Sequence, residues 1–322
     1  QIKITMFPNK HIVHLRKSLK NKKIAITGST GFIAKNVIRI LKDYNLTNKK
    51  IILLNKKNTD YSLKSLKKKL KNVNLIIHLS SATGGIGYTA KFPASQFYIA
   101  LKKDINIFEA SKDKKISRLV SLANLHVYSK KINGLLKKDQ IFFDMPPEIF
   151  LGIGWVKRTL LVLSKLYRKQ YNFDSKILIS ANTYGVGEDL HDIENSHIIP
   201  STIYKLSKYK KISFFGGKSA VREFINVKDL SFIILLALTT KEKQSFITVG
   251  SGEKISIGKL IEKISKIMTF KGKVNFLNKI KDNTQRFCGS KDVEQILNYK
   301  PIYKLDIGLR ETITWMKKRK NF

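Results

Sequence analysis

The stretch Lys23-Ile24-Ala25-Ile26-Thr27-Gly28-Ser29-Thr30-Gly31-Phe32-Ile33-Ala34 decides the fold. Residues 23–27 form a short apolar run that reads as a buried strand. A tight glycine turn follows, and Phe32, Ile33, Val37, Ile40 and Leu41 then recur at helical spacing. A strand, a glycine turn and a helix in that order bring backbone N–H groups to a helix N-terminus, where the dipole favours a pyrophosphate. Gly28, Ser29, Thr30, Gly31, Phe32 and Ile33 are therefore the first candidates to hold a dinucleotide. The third small position is Ala34 rather than Gly, still small enough for close helix–strand packing. Taken alone, the glycines are also compatible with an ordinary turn.

Composition bounds the rest. A chain of 322 residues that is 43% hydrophobic can bury a full core, in one large domain or two unequal ones. The single cysteine, Cys288, excludes a disulfide scaffold and fits a reducing compartment, and no metal-ligand cluster is visible. The longest apolar run, residues 232–238, is too short to span a bilayer, and the first residues lack a signal-peptide core, so a cytoplasmic protein is expected. The formal charge of +39 rests on 53 Lys against nine Arg. Lysines dispersed among Ile and Asn look like compositional drift, because phosphates and bases are gripped preferentially by Arg forks. Nucleic-acid or anionic-membrane binding is the competing reading of the charge, and neither partner is expected. A positive field would still attract an anionic substrate such as a nucleotide diphosphate.

Strand and helix signals alternate after residue 23. Strands are expected at 51–54, 73–79, 118–122 and 176–180, with helices at 61–70, 94–111 and 150–171. This alternation predicts an α/β fold, a Rossmann-type doubly wound parallel sheet with its ligand crevice outside the strand C-termini. Residues 1–22 read as a basic N-terminal extension and 23–180 as the dinucleotide-binding domain, with return segments near 223–250 that include a sixth strand at 246–249. Residues 181–222 and 251–322 read as a smaller C-terminal α/β substrate lobe, beginning with a polar loop at 182–196.

Five ordered segments carry a resemblance: Thr27-Gly-Ser-Thr-Gly-Phe-Ile33; His78-Leu-Ser-Ser-Ala82 followed by Gly84-Gly85-Ile86; Asn182-Thr-Tyr-Gly185; Asn195-Ser-His197-Ile-Ile-Pro200; and Arg222-Glu-Phe-Ile-Asn-Val-Lys-Asp229. Together they resemble the extended short-chain dehydrogenase/reductase family, the NAD-dependent epimerases and dehydratases of nucleotide sugars, over roughly residues 23–316. The Gly-Gly-Ile loop and the Asn-Ser-His segment are most similar to the GDP-L-fucose synthase branch, whose members are epimerases and reductases.

The resemblance implies a cofactor site of the glycine turn, Asn55, Lys56, Asp60, Tyr61, His78, Leu79, Ser80, Ala82, Lys157 and Asn182. Asn55-Lys56-Lys57 offers cations and no carboxylate where an NAD enzyme holds a ribose 2′-OH, so NADP is expected rather than NAD. Asp60 is either the family's adenine contact or the N-cap of the next helix. Asn106 is expected to brace the fourth strand. Gly85, Asn182, His197, Lys205, Arg222 and Arg286 would bind a nucleotide-diphosphate sugar, with the two Arg as its clamp. The helices 94–111 and 150–171 resemble those that pair as a four-helix interface in family homodimers.

At the catalytic centre the match breaks. The family uses a Ser or Thr, a Tyr and a Lys, with Tyr and Lys four apart on one helix face. Lys157 matches the Lys, but Ile153 stands where the Tyr should be and Asn124 where the Ser should be. Asn124 can still polarise a carbonyl. The branch also places a Cys and a His on opposite sides of the sugar; His126 holds the Cys position and His197 matches the His. Two imidazoles titrating near neutral pH would suit proton exchange beside a ketone. The expected function is a nucleotide-sugar epimerase, dehydratase or reductase with an altered site; the alternative is a cofactor-binding homologue acting as partner subunit or sensor.

Overall fold

The computed structural model describes residues 7–82, 86–112, 116–188, 196–215, 217–277 and 283–319. The first half runs α1 (Asn9–Leu19), β1 (Ile24–Thr27), α2 (Phe32–Asp43), β2 (Ile52–Leu54), α3 (Leu63–Lys69), β3 (Leu75–His78), α4 (Ile86–Lys91), α5 (Pro93–Lys112), β4 (Arg118–Asn124), β5 (Gly134–Leu135), α6 (Leu151–Tyr171) and β6 (Ser175–Ser180). The second runs β7 (Asn182–Tyr184), α7 (Ile198–Lys208), β8 (Lys211–Phe215), β9 (Val221–Asn226), α8 (Val227–Thr239), β10 (Phe246–Val249), β11 (Lys254–Ser256), α9 (Ile257–Ile267), β12 (Lys273–Leu277), β13 (Gln285–Phe287), α10 (Lys291–Leu297) and α11 (Leu305–Lys317).

Continuous apolar runs make β1, β3 and β6 buried along their whole length, as a parallel sheet covered on both faces requires. The six-stranded sheet has the order β10-β6-β4-β3-β1-β2, every neighbour parallel. The chain steps from β1 outward to β2 and then crosses back to β3. The switch point therefore lies between the C-terminal ends of β1 and β3, where an open α/β sheet holds its ligand. Helices α1, α2 and α8 pack together, and α5 packs between α3 and α6. The sixth strand returns as expected, with Phe246 to Val249 registered on Ile177 to Ser180.

The basic N-terminal extension carries one short helix and is packed down: Ile12, Leu15 and Leu19 of α1 are buried in the main core, and Phe7 stacks on Phe232 of α8 with ring centroids 4.0 Å apart. One expectation changes. The region 182–196 is not wholly a loop, since β7 pairs in parallel with β9. The smaller lobe is a mixed sheet, β11-β9-β13-β5, beside the parallel pair β12-β8. Helices α7, α9 and α11 close over it around Ile203, Leu260, Ile264, Leu309 and Met316.

Leu15 is fully buried, so Leu15→Ala should cost about 2–5 kcal/mol in urea unfolding. A detached helix would leave the midpoint unchanged.

Candidate functional site

Gly28 begins the turn with φ +63°, and a Cβ there would lie 2.7 Å from the Leu79 carbonyl oxygen. Only glycine allows β1 and the end of β3 to approach so closely. Gly31 caps α2 in an extended conformation, with no side chain bonded to the helix N-terminus. The first-turn N–H groups are thus left without a side-chain cap, which suits a pyrophosphate. Ser29 ties the turn to β2: its N–H donates to the Leu54 carbonyl (3.1 Å) and its hydroxyl accepts from Asn55 Nδ2 (3.2 Å). Thr30, Lys56 and Lys57 are exposed around this edge, and Phe32 and Ile33 are half-buried.

Several expected contacts turn inward instead. Tyr61 is buried with its hydroxyl under the turn, accepting from Gly28 N–H at 3.1 Å and facing Leu54 O at 3.3 Å, so it supports the glycine loop. Asp60 is not the helix cap. Ser62 is, with its Oγ accepting from Ser65 N–H at 3.2 Å, while Asp60 accepts from the Ser62 N–H and hydroxyl. Asn106 braces no strand; it donates to the Tyr61 carbonyl at 2.9 Å.

His78 also points into the interior. Thr27 Oγ1 accepts from the N–H groups of Leu79 and Ser80, each at 3.1 Å, and so donates its own proton to His78 Nδ1 at 2.7 Å. His78 Nε2–H then donates to Asp104 Oδ1 at 2.9 Å. Burial lowers the His78 pKa against the pull of Asp104, in keeping with a neutral ring. The second Asp104 oxygen lies 3.6 Å from Lys157 Nζ. Ala82 packs with Ala100, Ile153 and Val156, and Ile153 is 4% exposed. Tyr128 and Tyr184 are both buried, one in each of the two cores.

Asn124 ends β4 and caps the short turn Leu125–Val127, its Oδ1 accepting from His126 N–H at 3.1 Å. Gly154 lets α6 close on that turn: a Cβ there would meet the His126 carbonyl at 2.8 Å. His126 stacks on Phe150 at 3.7 Å. Arg286 braces the turn rather than standing as an open clamp, donating to the carbonyls of Leu125, Tyr128 and Ser129. Burial, and then the nearby charges of Arg286, His197 and Arg222, hold the His126 pKa down to about 3.

His197 behaves oppositely. Its Nδ1 lies 2.6 Å from Oε1 of the buried Glu188, and this hydrogen bond raises its pKa although the ring is 64% exposed. The expectation that both imidazoles titrate near neutral pH therefore fails for His126. Glu188 was not a candidate in the sequence, where it is one carboxylate in a polar stretch. Asn182 donates to the Glu223 carbonyl, Arg222 to the carbonyls of Val221 and Thr284, and Lys205 lies over the Phe214 ring. Gly85 lies outside the described residues.

Residues 24–258 match the NAD dependent epimerase/dehydratase family. GDP-L-colitose synthase of Yersinia pseudotuberculosis is 30% identical over 78% of this chain and 83% of its own. GDP-L-fucose synthase of Dictyostelium discoideum is 22% identical over 94% of this chain and 97% of its own. In three dimensions a GDP-L-fucose synthetase from Naegleria fowleri, solved bound to NADP, superposes with a TM-score of 0.81 at 18% identity, over 93% of this chain and 95% of that one.

His78 and His126 enter the fold as neutral rings, whereas the unfolded chain binds their protons near pH 6.5. Their folded pKa values are depressed, so their contribution to stability is complete above about pH 6.5 and is lost as pH falls below it. The Tm should therefore drop from pH 6.5 toward pH 4, and less steeply in His126→Gln; equal slopes would contradict the neutral buried ring.

Proposed function

The chain belongs to the NAD dependent epimerase/dehydratase family, and from that premise we propose that it acts on a nucleoside-diphosphate sugar, exchanging a proton at a carbon beside a ketone. The observation that carries this reading is the Glu188–His197 pair. A buried carboxylate on Nδ1 fixes the tautomer and leaves Nε2 to take the proton, while the imidazolium that forms is stabilised by the same carboxylate. His126 stays neutral and serves as a polar wall. The cationic field of Arg222 and Arg286 that depresses it also favours the enolate that proton removal creates.

NADP fits the crevice better than NAD. Gly28 to Ile33 and the N-terminus of α2 would hold the pyrophosphate, and Lys56 and Lys57 near Asn55 would receive a ribose 2′-phosphate, with Lys157 at the nicotinamide ribose. A nicotinamide held there would supply hydride transfer. Ile153, buried among apolar side chains four residues before Lys157, offers no hydroxyl to exchange a proton alongside it, which favours epimerisation over reduction. The same residue supports the alternative, a cofactor-binding homologue that has lost its chemistry. Lys205, Arg222 and Asn182 are the proposed substrate contacts, with Arg286 holding the loop behind them.

Incubation with 4-keto nucleoside-diphosphate sugars in deuterated water separates these readings. Exchange that falls about 10²–10⁴-fold in His197→Ala supports the enzyme. In Glu188→Gln the acidic limb of the pH profile should move to lower pH, because the bond that raises the His197 pKa weakens. Absence of exchange on every sugar, with NADPH still bound, supports the alternative.

We further propose a homodimer through α5 and α6, where Tyr98, Ile99, Ile105, Val162 and Leu166 are exposed apolar residues on packed helices. Sedimentation should give a dimer for the native chain and a monomer for Leu166→Glu; a native monomer would exclude this interface.

A further inference from the structure

The interior chain that begins at Thr27 ends at Lys157 and has one feature that its hydrogen bonds do not explain. Asp104 is fully buried on α5, and its Oδ1 is fixed by His78 Nε2–H at 2.9 Å. Its Oδ2 is buried with no hydrogen-bond partner among the described residues, and Lys157 Nζ on the facing helix α6 lies 3.6 Å from it. The Lys157 side chain is itself 7% exposed. Lys103, the other cation beside Asp104, has its ammonium over the Tyr61 ring at 5.0 Å. Among the described residues, Asp104 is the carboxylate against Lys157, and the same carboxylate faces His78 from β3 and Lys103 from α5.

Three roles can be weighed for this carboxylate. A proton relay is excluded by connectivity: the chain runs from Asp104 through His78 and Thr27 to the backbone N–H groups of Leu79 and Ser80, which release no proton. A purely structural ion pair is disfavoured by geometry. A buried pair offsets its desolvation only with close contact and satisfied oxygens, and here the separation exceeds a hydrogen bond. An electrostatic anchor fits. At 3.6 Å the carboxylate attracts the ammonium without engaging any of its N–H donors, so all three stay available to a ligand.

We propose that Asp104 is the positioning residue of Lys157, drawing that side chain to the base of the crevice with its donors uncommitted. The inference rests on the reading that a nicotinamide dinucleotide occupies this crevice. His78 serves it indirectly, by fixing the plane of the Asp104 carboxylate.

The test is NADPH affinity, measured by fluorescence titration on the full chain as a double-mutant cycle between Asp104 and Lys157. Asp104→Asn should weaken binding about tenfold when Lys157 is present and leave it unchanged in the Lys157→Met background, because the carboxylate acts only through the lysine. Asp104→Glu should restore the affinity. Asp104→Ser gives the same reading if the Asn variant does not fold, with circular dichroism reporting the fold of each. An equal loss in both backgrounds, or no loss in either, would overturn the proposal while leaving the cofactor reading intact. No NADPH binding by the native chain would overturn both.

Discussion

The Thr27 hydroxyl governs how closely the first and third strands approach at their C-terminal ends. It accepts two backbone N–H bonds from the chain leaving β3 and gives its proton to His78. The next residue can then only be glycine, because the Leu79 carbonyl occupies the space of a Cβ. The consequences spread outward from this contact. The turn and α2 follow from the glycine. Asp104, and with it α5, is set by the His78 ring. Lys157 on α6 is held opposite Asp104, and Gly154 one turn earlier lets the same helix close on the His126 loop. A polar chain this deeply buried is tolerable only where each donor and acceptor is matched. Among the described residues Asp104 Oδ2 is left without a hydrogen bond, and it falls beside the lysine at the candidate site.

The first sheet was legible because its strands are continuous apolar runs and its helices are long and periodic. The sixth strand at 246–249 was readable for the same reason. Side-chain direction was not. In a sheet covered on both faces, every position of β3 is buried, so apolar pattern cannot say whether the His78 ring meets a ligand or the interior. Tyr61 misled similarly: it sits in a left-handed conformation at φ +58°, which turns its ring beneath the glycine loop. The smaller lobe was mostly hidden. Strands β8 and β12 begin with lysine and pair across more than fifty residues of sequence, and β7 and β11 are three residues long. Glu188 and His197 lie in one polar stretch, and nothing in their spacing distinguishes a hydrogen-bonded pair from two solvated side chains.

The scarce arginines carry a second lesson. Rarity suggested that they grip phosphates, yet several grip this protein. Arg118 pairs with Asp174 and three backbone carbonyls, Arg158 donates to the Val127 carbonyl from the core, and Arg286 holds three carbonyls at and just after the Leu125–Val127 turn. A planar fork suits crowded carbonyls as well as it suits a diphosphate. In a chain where lysine supplies most of the positive charge, arginine marks places where geometry matters, and in these three that geometry is internal. Their charge still adds to the effect of burial, which is the main reason the His126 pKa is lowered, with Arg286 and Arg222 among the lesser causes.

In the proposed function the approach of β1 to β3 at Gly28 builds a dinucleotide crevice. Calorimetric titration of NADPH into the native chain and into Gly28→Val tests it most directly. Saturable one-site binding by the native chain, lost in a variant that remains folded by circular dichroism, is the predicted result. Equal binding by both proteins, or none by the native chain, would contradict it.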